Sequence, residues 1–337
     1  MADKSMPFNA SSSSAKNESS LPEALSRRHL ISGVAGILAG AGLAQAQQPS
    51  PQLSQAPTPQ APKPGMPADV RGTLPQAKIG NLALSRMIFG GNLIGGWAHS
   101  RDLSYVGKLA LAYNTNEKVF ATLALAEKCG VNTLLTSPMI IPVIKEYWGK
   151  AGGKIQFISD CGGRVLLDAV QLSIDSGATG CYVHGMSADS LVEKGEFDQI
   201  AKALDLIRKN KMPAGIGAHR LETIKACVAK GLAPDFWMKT FHKTSYWSSQ
   251  MQPQNDNIWC ENPDETKAFM KDLKEPWIAF KTMAAGAIPP MDAFKYAFEN
   301  GADFICVGMF DWQVVDNVNT AITALEGVAQ RERPWRA

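Results

Sequence analysis

None of the six cysteines, Cys129, Cys161, Cys181, Cys227, Cys260 and Cys306, belongs to a CxxC pair, which excludes a zinc ribbon and a disulfide-stapled scaffold. Free cysteine packs as a small hydrophobe, so most of the six are expected in the core. Only Cys161 and Cys260 fall near enough to the predicted rim for a ligand, thiol or disulfide role to stay open. Charge of one sign is not concentrated either: the formal net charge is +3, with basic residues scattered among acids, so no nucleic acid partner is expected. Gly90-Gly91 and Gly95-Gly96 lack the GxGxxG spacing of a dinucleotide fingerprint. The apolar run near the N-terminus is diluted by glycine and shorter than the roughly 20 residues that span a bilayer, so no stable membrane anchor is expected.

What is present is the composition of a soluble globular enzyme: 337 residues, 45% hydrophobic and 19% charged, enough to bury one large core. After a polar, Ser-rich start come Ser26, Arg27, Arg28, His29, Leu30 and Ile31, then a short Gly- and Ala-rich apolar segment ending at Ala44-Gln45-Ala46. This pattern resembles the bacterial twin-arginine signal. It implies the twin-arginine export machinery as a partner and a periplasmic or extracellular location. Residues 1–46 are therefore expected to be a signal peptide, residues 47–76, rich in Pro and Gln, a disordered linker, and residues 77–337 the folded domain.

Within that domain, strand and helix patterns alternate eight times. Residues 213–242 show the grammar best: an apolar strand running into His219, a helix with Leu221, Ile224 and Val228 on one face, and a second strand running into His242. Other strands are predicted over 87–91, 132–136, 155–160, 180–184, 277–282 and 304–309, with helices between them that stop at glycines such as Gly130 and Gly231. Eight such units predict an α/β fold, a (β/α)8 TIM barrel with its site at the carboxyl ends of the strands.

Leu84-Ser85-Arg86-Met87-Ile88-Phe89-Gly90-Gly91-Asn92 and Leu125-Ala126-Glu127-Lys128-Cys129-Gly130-Val131-Asn132-Thr133 resemble the first two βα units of the aldo/keto reductase superfamily. The resemblance extends weakly from Leu82 to Asp311. It implies the barrel, NADPH, and a tetrad of Asp, Tyr, Lys and His. Carried over position by position, only the histidine is kept, as His184. Leu135 stands for the aspartate and Asp160 for the lysine, and no tyrosine nearer than Tyr147 stands near Ile140. A tyrosine acid depends on its lysine to lower its pKa, so the resemblance points to a reductase scaffold with different chemistry.

Strand side chains alternate between lumen and helix layer. On that parity His184 and His219 have Gly180, Gly215 and Gly217 beneath them, leaving lumen space for a ligand. Asp160 ends the neighbouring strand. With His242, the two histidines suit a divalent zinc, manganese or iron ion. Lys281 shares parity with Ala279 and is expected in the lumen, with Ile278 and Phe280 toward the helices. Lys239 and His242 are an odd number of residues apart, so one of them needs a bend to reach the site. Asp160, His184, Lys281 and Lys239 are the catalytic candidates.

Around the rim, Asn92, Trp97, Tyr246, Trp247, Trp259, Glu261 and Asp311 are candidate substrate contacts, with Trp312 beside them. Aromatic rings next to polar groups suit the C–H faces of a sugar. The expectation is an exported enzyme acting on a carbohydrate or other polyhydroxylated small molecule by metal- or acid/base-assisted hydrolysis, elimination or isomerisation. An NADPH-dependent reductase with a rearranged proton donor, or a non-catalytic sugar-binding barrel, are the alternatives.

Overall fold

The computed structural model of the chain describes residues 69–98, 100, 103–246, 260–328 and 331–337. The expected twin-arginine signal, the expected linker up to residue 68, Trp247 and Trp259 lie outside the described residues. Two short strands, β1 (Gln76–Ile79) and β2 (Leu82–Ser85), pair antiparallel. Eight parallel strands follow: β3 (Met87–Gly90), β4 (Thr133–Thr136), β5 (Gln156–Cys161), β6 (Gly180–Val183), β7 (Ala214–Ala218), β8 (Phe236–Thr240), β9 (Trp277–Phe280) and β10 (Phe304–Gly308). They close into a ring, with β10 pairing back onto β3. This is the (β/α)8 barrel that the alternation predicts.

The surrounding helices are α1 (Val106–Tyr113), α2 (Asn116–Lys128), α3 (Ile141–Ala151), α4 (Leu166–Asp175), α5 (Gly185–Glu193), α6 (Phe197–Lys209), α7 (Leu221–Ala229), α8 (Pro263–Asp272), α9 (Pro290–Glu299) and α10 (Asp311–Glu326). Their faces follow helical spacing. In α6, for example, Ile200, Ala203, Leu204 and Ile207 are buried, and this stripe lies against the sheet. The predicted stops at Gly130 and Gly231 take φ of +89° and +74°, a left-handed turn that glycine enters without strain. Among the described residues no helix is long and apolar enough to cross a membrane.

Three elements go beyond the predicted set. Helix α1 is apolar on several sides, with Leu109 and Leu111 exposed, so it lacks a readable period. Helix α5 starts on a glycine and is divided evenly between polar and apolar residues. The β1–β2 hairpin has strands of only four residues each.

That hairpin decides which end of the barrel is open. Ile79 and Leu84 join the lumen cluster of Ile88, Leu135, Ile158, Tyr182, Phe236, Met238, Ile278 and Phe304. Leu82 comes within 3.5 Å of the place a Cβ would take on Gly180, at the start of β6. The amino end is thus plugged. Partial exposure within the strands returns toward the carboxyl end, at Asp160, Phe280 and Cys306.

The C-terminal segment locks the same plugged end. Asp303, fully buried, accepts from Arg333 Nη1 at 2.6 Å, from the backbone N–H of Trp277 at 3.0 Å and from that of Arg336 at 2.8 Å. Arg333 also donates to the carbonyls of Met270, Gly301 and Glu275. Trp335 is covered by the guanidinium groups of Arg86 and Arg331, 3.9 and 3.7 Å from its ring centre. Removing one member of a buried ion pair strands the other charge, so Arg333→Met is expected to cost about 3–5 kcal/mol in urea unfolding. A loss below about 1 kcal/mol would show that the clasp is not structural.

Candidate active site

The site is best built from β7 outward. β7 ends at Ala218, and the next residue, His219, is met by Asp189 from the second turn of α5. Asp189 Oδ2 accepts from the His219 backbone N–H at 3.1 Å and lies 3.0 Å from its Nδ1, while Oδ1 accepts from Thr223 Oγ1 at 2.7 Å. Burial favours the neutral carboxyl, but the hydrogen bonds from His219 and Thr223 outweigh it and hold Asp189 below its ordinary value. An ionised carboxylate can only accept, so Nδ1 of His219 carries a proton, and in the neutral ring the lone pair is left on Nε2. A Cβ on Gly185 would sit 3.0 Å from the His219 ring. The bare backbone at the start of α5 is what lets the imidazole lie there.

Around His219 stand groups that keep their protons or stay neutral. The ring centres of His184 and Phe280 are 6.2 and 5.5 Å from that of His219. His184 directly precedes α5 and its backbone N–H donates to the Cys161 carbonyl at 2.7 Å. Burial, followed by its neighbours His219 and Lys281, pushes its imidazole down to about 4, so it is neutral near pH 7. Asp160 pairs in register with Tyr182, one of the residues that fill the lumen. Burial holds its carboxyl well above the carboxylate range, and it makes no hydrogen bond among the described residues. Cys306, across the lumen on β10, is pushed up to about 12 by burial and by Asp160. The mouth therefore combines an imidazole tethered through Nδ1 at His219 with a carboxyl at Asp160 that burial biases toward its protonated form.

Several expectations need correcting. Ile278 belongs to the lumen cluster with Phe280 packed on it, and Ala279 belongs to the helix-side core, the reverse of the predicted parity on β9. Ile278 and Phe280 fill the ring here, and Trp277 and Ala279 face the helices. Lys281 lies past the strand with φ +57°, a left-handed turn that breaks the alternation. Its charge nonetheless reaches both His184 and His242.

The three-histidine metal site does not assemble, and no group of three or more ligating side chains forms among the described residues. His242 is buried, with Nε2 accepting from the Cys260 N–H at 3.2 Å and Nδ1 on the Lys243 carbonyl at 3.0 Å. With both nitrogens engaged it ties the two ends of the long loop together. Lys239 is equally committed. It shares the helix-side parity of Trp237, and its Nζ donates to the His219 carbonyl at 2.6 Å, the Thr240 carbonyl at 2.8 Å and Thr240 Oγ1 at 2.7 Å. Burial lowers it to about 8, and its three protons serve the strand ends.

The glycines beneath the histidines do not leave ligand space. A Cβ on Gly215 would meet the Phe236 ring at 2.4 Å, and one on Gly217 would meet Tyr182 Cε2, Gly185 N and Val183 O at 2.9 Å. They make room for the Tyr182 and Phe236 rings instead.

Rim candidates fare unequally. Asn92 and Glu261 are exposed and Trp97 is half-buried on the core. Tyr246 packs edge-on to His242 at 6.0 Å. Asp311 is occupied by Tyr113 Oη at 2.6 Å and Lys118 Nζ at 2.9 Å. Trp312 is 55% exposed and stacks on Phe310 at 4.6 Å. Asp189, which organises the site, is not among the residues that the sequence singles out. Its signal is faint: an acid five residues after a strand-end histidine, on a helix without an apolar period.

Two solved structures of a putative aldo-keto reductase from Pseudomonas aeruginosa align with TM-scores of 0.53 and 0.52 at 16% identity. They cover 76% and 77% of this chain and 98% and 100% of those chains. The fold is like theirs. A phospho-2-dehydro-3-deoxyheptonate aldolase from Thermotoga maritima aligns at TM-score 0.49 and 9% identity, over 77% of this chain and 76% of its own. No family model and no curated protein matches the sequence.

Two of the positions that the aldo/keto reductase resemblance assigns are packed into the protein interior. Leu135 is part of the apolar lumen cluster, and Tyr147 is buried in the helix-side core, where its hydroxyl donates to Glu127.

Two outcomes follow from this packing. Gly217→Ala forces a methyl against two backbone atoms and is expected to cost about 1–3 kcal/mol of stability; an unchanged unfolding midpoint would contradict the packing. Burial pushes His242 from 6.5 down to about 4, so between those values the unfolded chain binds a proton that the folded chain refuses. Stability must fall as pH drops through that window, by up to about 1.4 kcal/mol per pH unit for each such group. His242→Asn is expected to flatten the wild-type slope, and equal slopes in the two proteins would contradict the buried neutral imidazole.

Proposed function

We propose that the chain is an acid/base enzyme that shifts a proton on a small polyhydroxylated molecule, isomerising it or eliminating from it. The observation that carries this reading is the Asp189–His219 pair at the carboxyl-end mouth, together with Asp160 two strands away at the same end, whose carboxyl burial biases toward its protonated form. In this scheme His219 Nε2 removes a proton from a carbon next to a carbonyl. The C–H electrons move into the carbonyl, and Asp160 gives its proton to that oxygen to form an enediol. The His219 imidazolium then gives its proton to the former carbonyl carbon while the other enediol hydroxyl gives its own to Asp160, which completes an isomerisation. In an elimination the imidazolium instead protonates a hydroxyl on the next carbon, which leaves as water as the enol hydroxyl returns its proton to Asp160 and the carbonyl re-forms.

Asp189 stabilises the imidazolium that forms, as carboxylates do for catalytic histidines. Neutral His184 supplies a hydrogen-bonding partner, and the Lys281 charge steadies negative charge developing on oxygen. The half-exposed Trp312 offers a flat apolar face beside the mouth, which favours a sugar-like substrate. The Arg27-Arg28 segment supports export of the folded enzyme by the twin-arginine route.

The test is wash-in of deuterium from D2O at the carbon next to the carbonyl, followed by NMR over a panel of aldoses, ketoses and their acids. A general base contributes typically about 10²–10⁴-fold, so His219→Gln should slow exchange by that factor and Asp160→Asn should also reduce it. Because only protonated Asp160 can donate, the wild-type rate should fall as pH rises through its raised pKa. Exchange no faster than in buffer, or untouched by His219→Gln, would remove the proposal.

A further inference from the structure

A groove of about 610 Å³ opens beside His184, on the face of the barrel served by β5 and β6. It is lined by Gly163, Arg164, Ser187, Ser190 and Lys194 together with His184. The Gly163 N–H donates to Ser187 Oγ at 3.3 Å, which ties the loop after β5 to the first turn of α5 and shapes the groove's floor. Arg164 and Lys194 make no side-chain ion pair or hydrogen bond among the described residues, so two uncommitted cations border one cavity. The acid on its edge, Glu196, accepts from the Gln199 amide at 2.6 Å. The remainder of the lining, Leu166, Met186 and Leu191, is apolar.

A guanidinium, an ammonium and serine hydroxyls around a concave surface match a carboxylate or phosphate. Apolar walls match the carbon skeleton that bears it. His184 belongs both to this groove and to the mouth, so a molecule seated in the groove extends toward His219.

We infer that this groove is the subsite for the anionic group, carboxylate or phosphate, of a sugar derivative whose carbon chain passes His184 into the barrel mouth. The inference deepens the proton-transfer reading and rests on it for the direction in which the substrate runs. It makes the substrate an acidic sugar rather than a neutral one.

Isothermal titration of the full chain with D-glucuronate, D-glucose 6-phosphate and neutral D-glucose tests the inference. At least one anion should bind about ten-fold or more tighter than glucose, as expected for charge-assisted contacts. Whichever anion binds tighter identifies carboxylate or phosphate as the source. The double variant Arg164→Gln/Lys194→Gln should abolish the preference while leaving glucose binding and the unfolding midpoint unchanged. Equal or undetectable binding of all three sugars, or a preference that survives the double variant, overturns the subsite. Anion preference without deuterium exchange would uphold the subsite and sink the proton-transfer reading, and exchange without anion preference would do the reverse.

Discussion

One carboxylate determines what the mouth of this barrel can do. Asp189 takes both the backbone and the ring N–H of His219 on a single oxygen and the Thr223 hydroxyl on the other. It thereby joins α5, the end of β7 and the first turn of α7. The bond selects the ring tautomer and also the ring's place, because an imidazole tethered through Nδ1 has little freedom left. The helix start offers the ring only the bare backbone of Gly185. Chemistry and packing are thus set by the same contact.

The lumen imposes the second condition. A ring of eight strands has room for few large side chains at each level. Here Tyr182 and Phe236 enter over Gly215 and Gly217, and the β1–β2 hairpin seals the amino end with Ile79 and Leu84. Asp160 is left in a largely apolar shaft open at the other end. Desolvation there acts on the charged form alone, which is why it keeps its proton while Asp189, bonded by three donors, loses its own. Two carboxyl groups of one barrel mouth are driven apart in acidity by their surroundings, a division that suits a pair of proton donor and base-orienting group.

The barrel is legible in the sequence because its signals are local: apolar runs of strand length, helical stripes such as Ile200, Ala203, Leu204 and Ile207, and glycine stops. The places of Asp160, His184 and His219 at successive strand ends are legible for the same reason. What cannot be read depends on partners distant in sequence. The parity of β9 comes out reversed because alternation alone does not say which set faces inward, and at Lys281 the backbone leaves the strand. His242 and Lys239 look available as residues in a string, yet the Cys260 N–H and the carbonyls of His219 and Thr240 absorb them. The glycines suggest empty space and prove to be clearance for rings from neighbouring strands. Asp189 escapes a reading of the sequence because its meaning depends on a partner 30 residues away.

The central claim, that Asp189 keeps the His219 proton on Nδ1 and gives Nε2 the lone pair, is open to direct observation by ¹⁵N NMR of histidine-labelled protein at about pH 8. With the resonance assigned through a His219→Gln control, the account predicts a neutral ring whose Nδ1 is the protonated nitrogen, shifting toward a tautomer mixture in Asp189→Asn. A ring protonated on Nε2 in the wild-type protein, or a spectrum unaffected by Asp189→Asn, would contradict it.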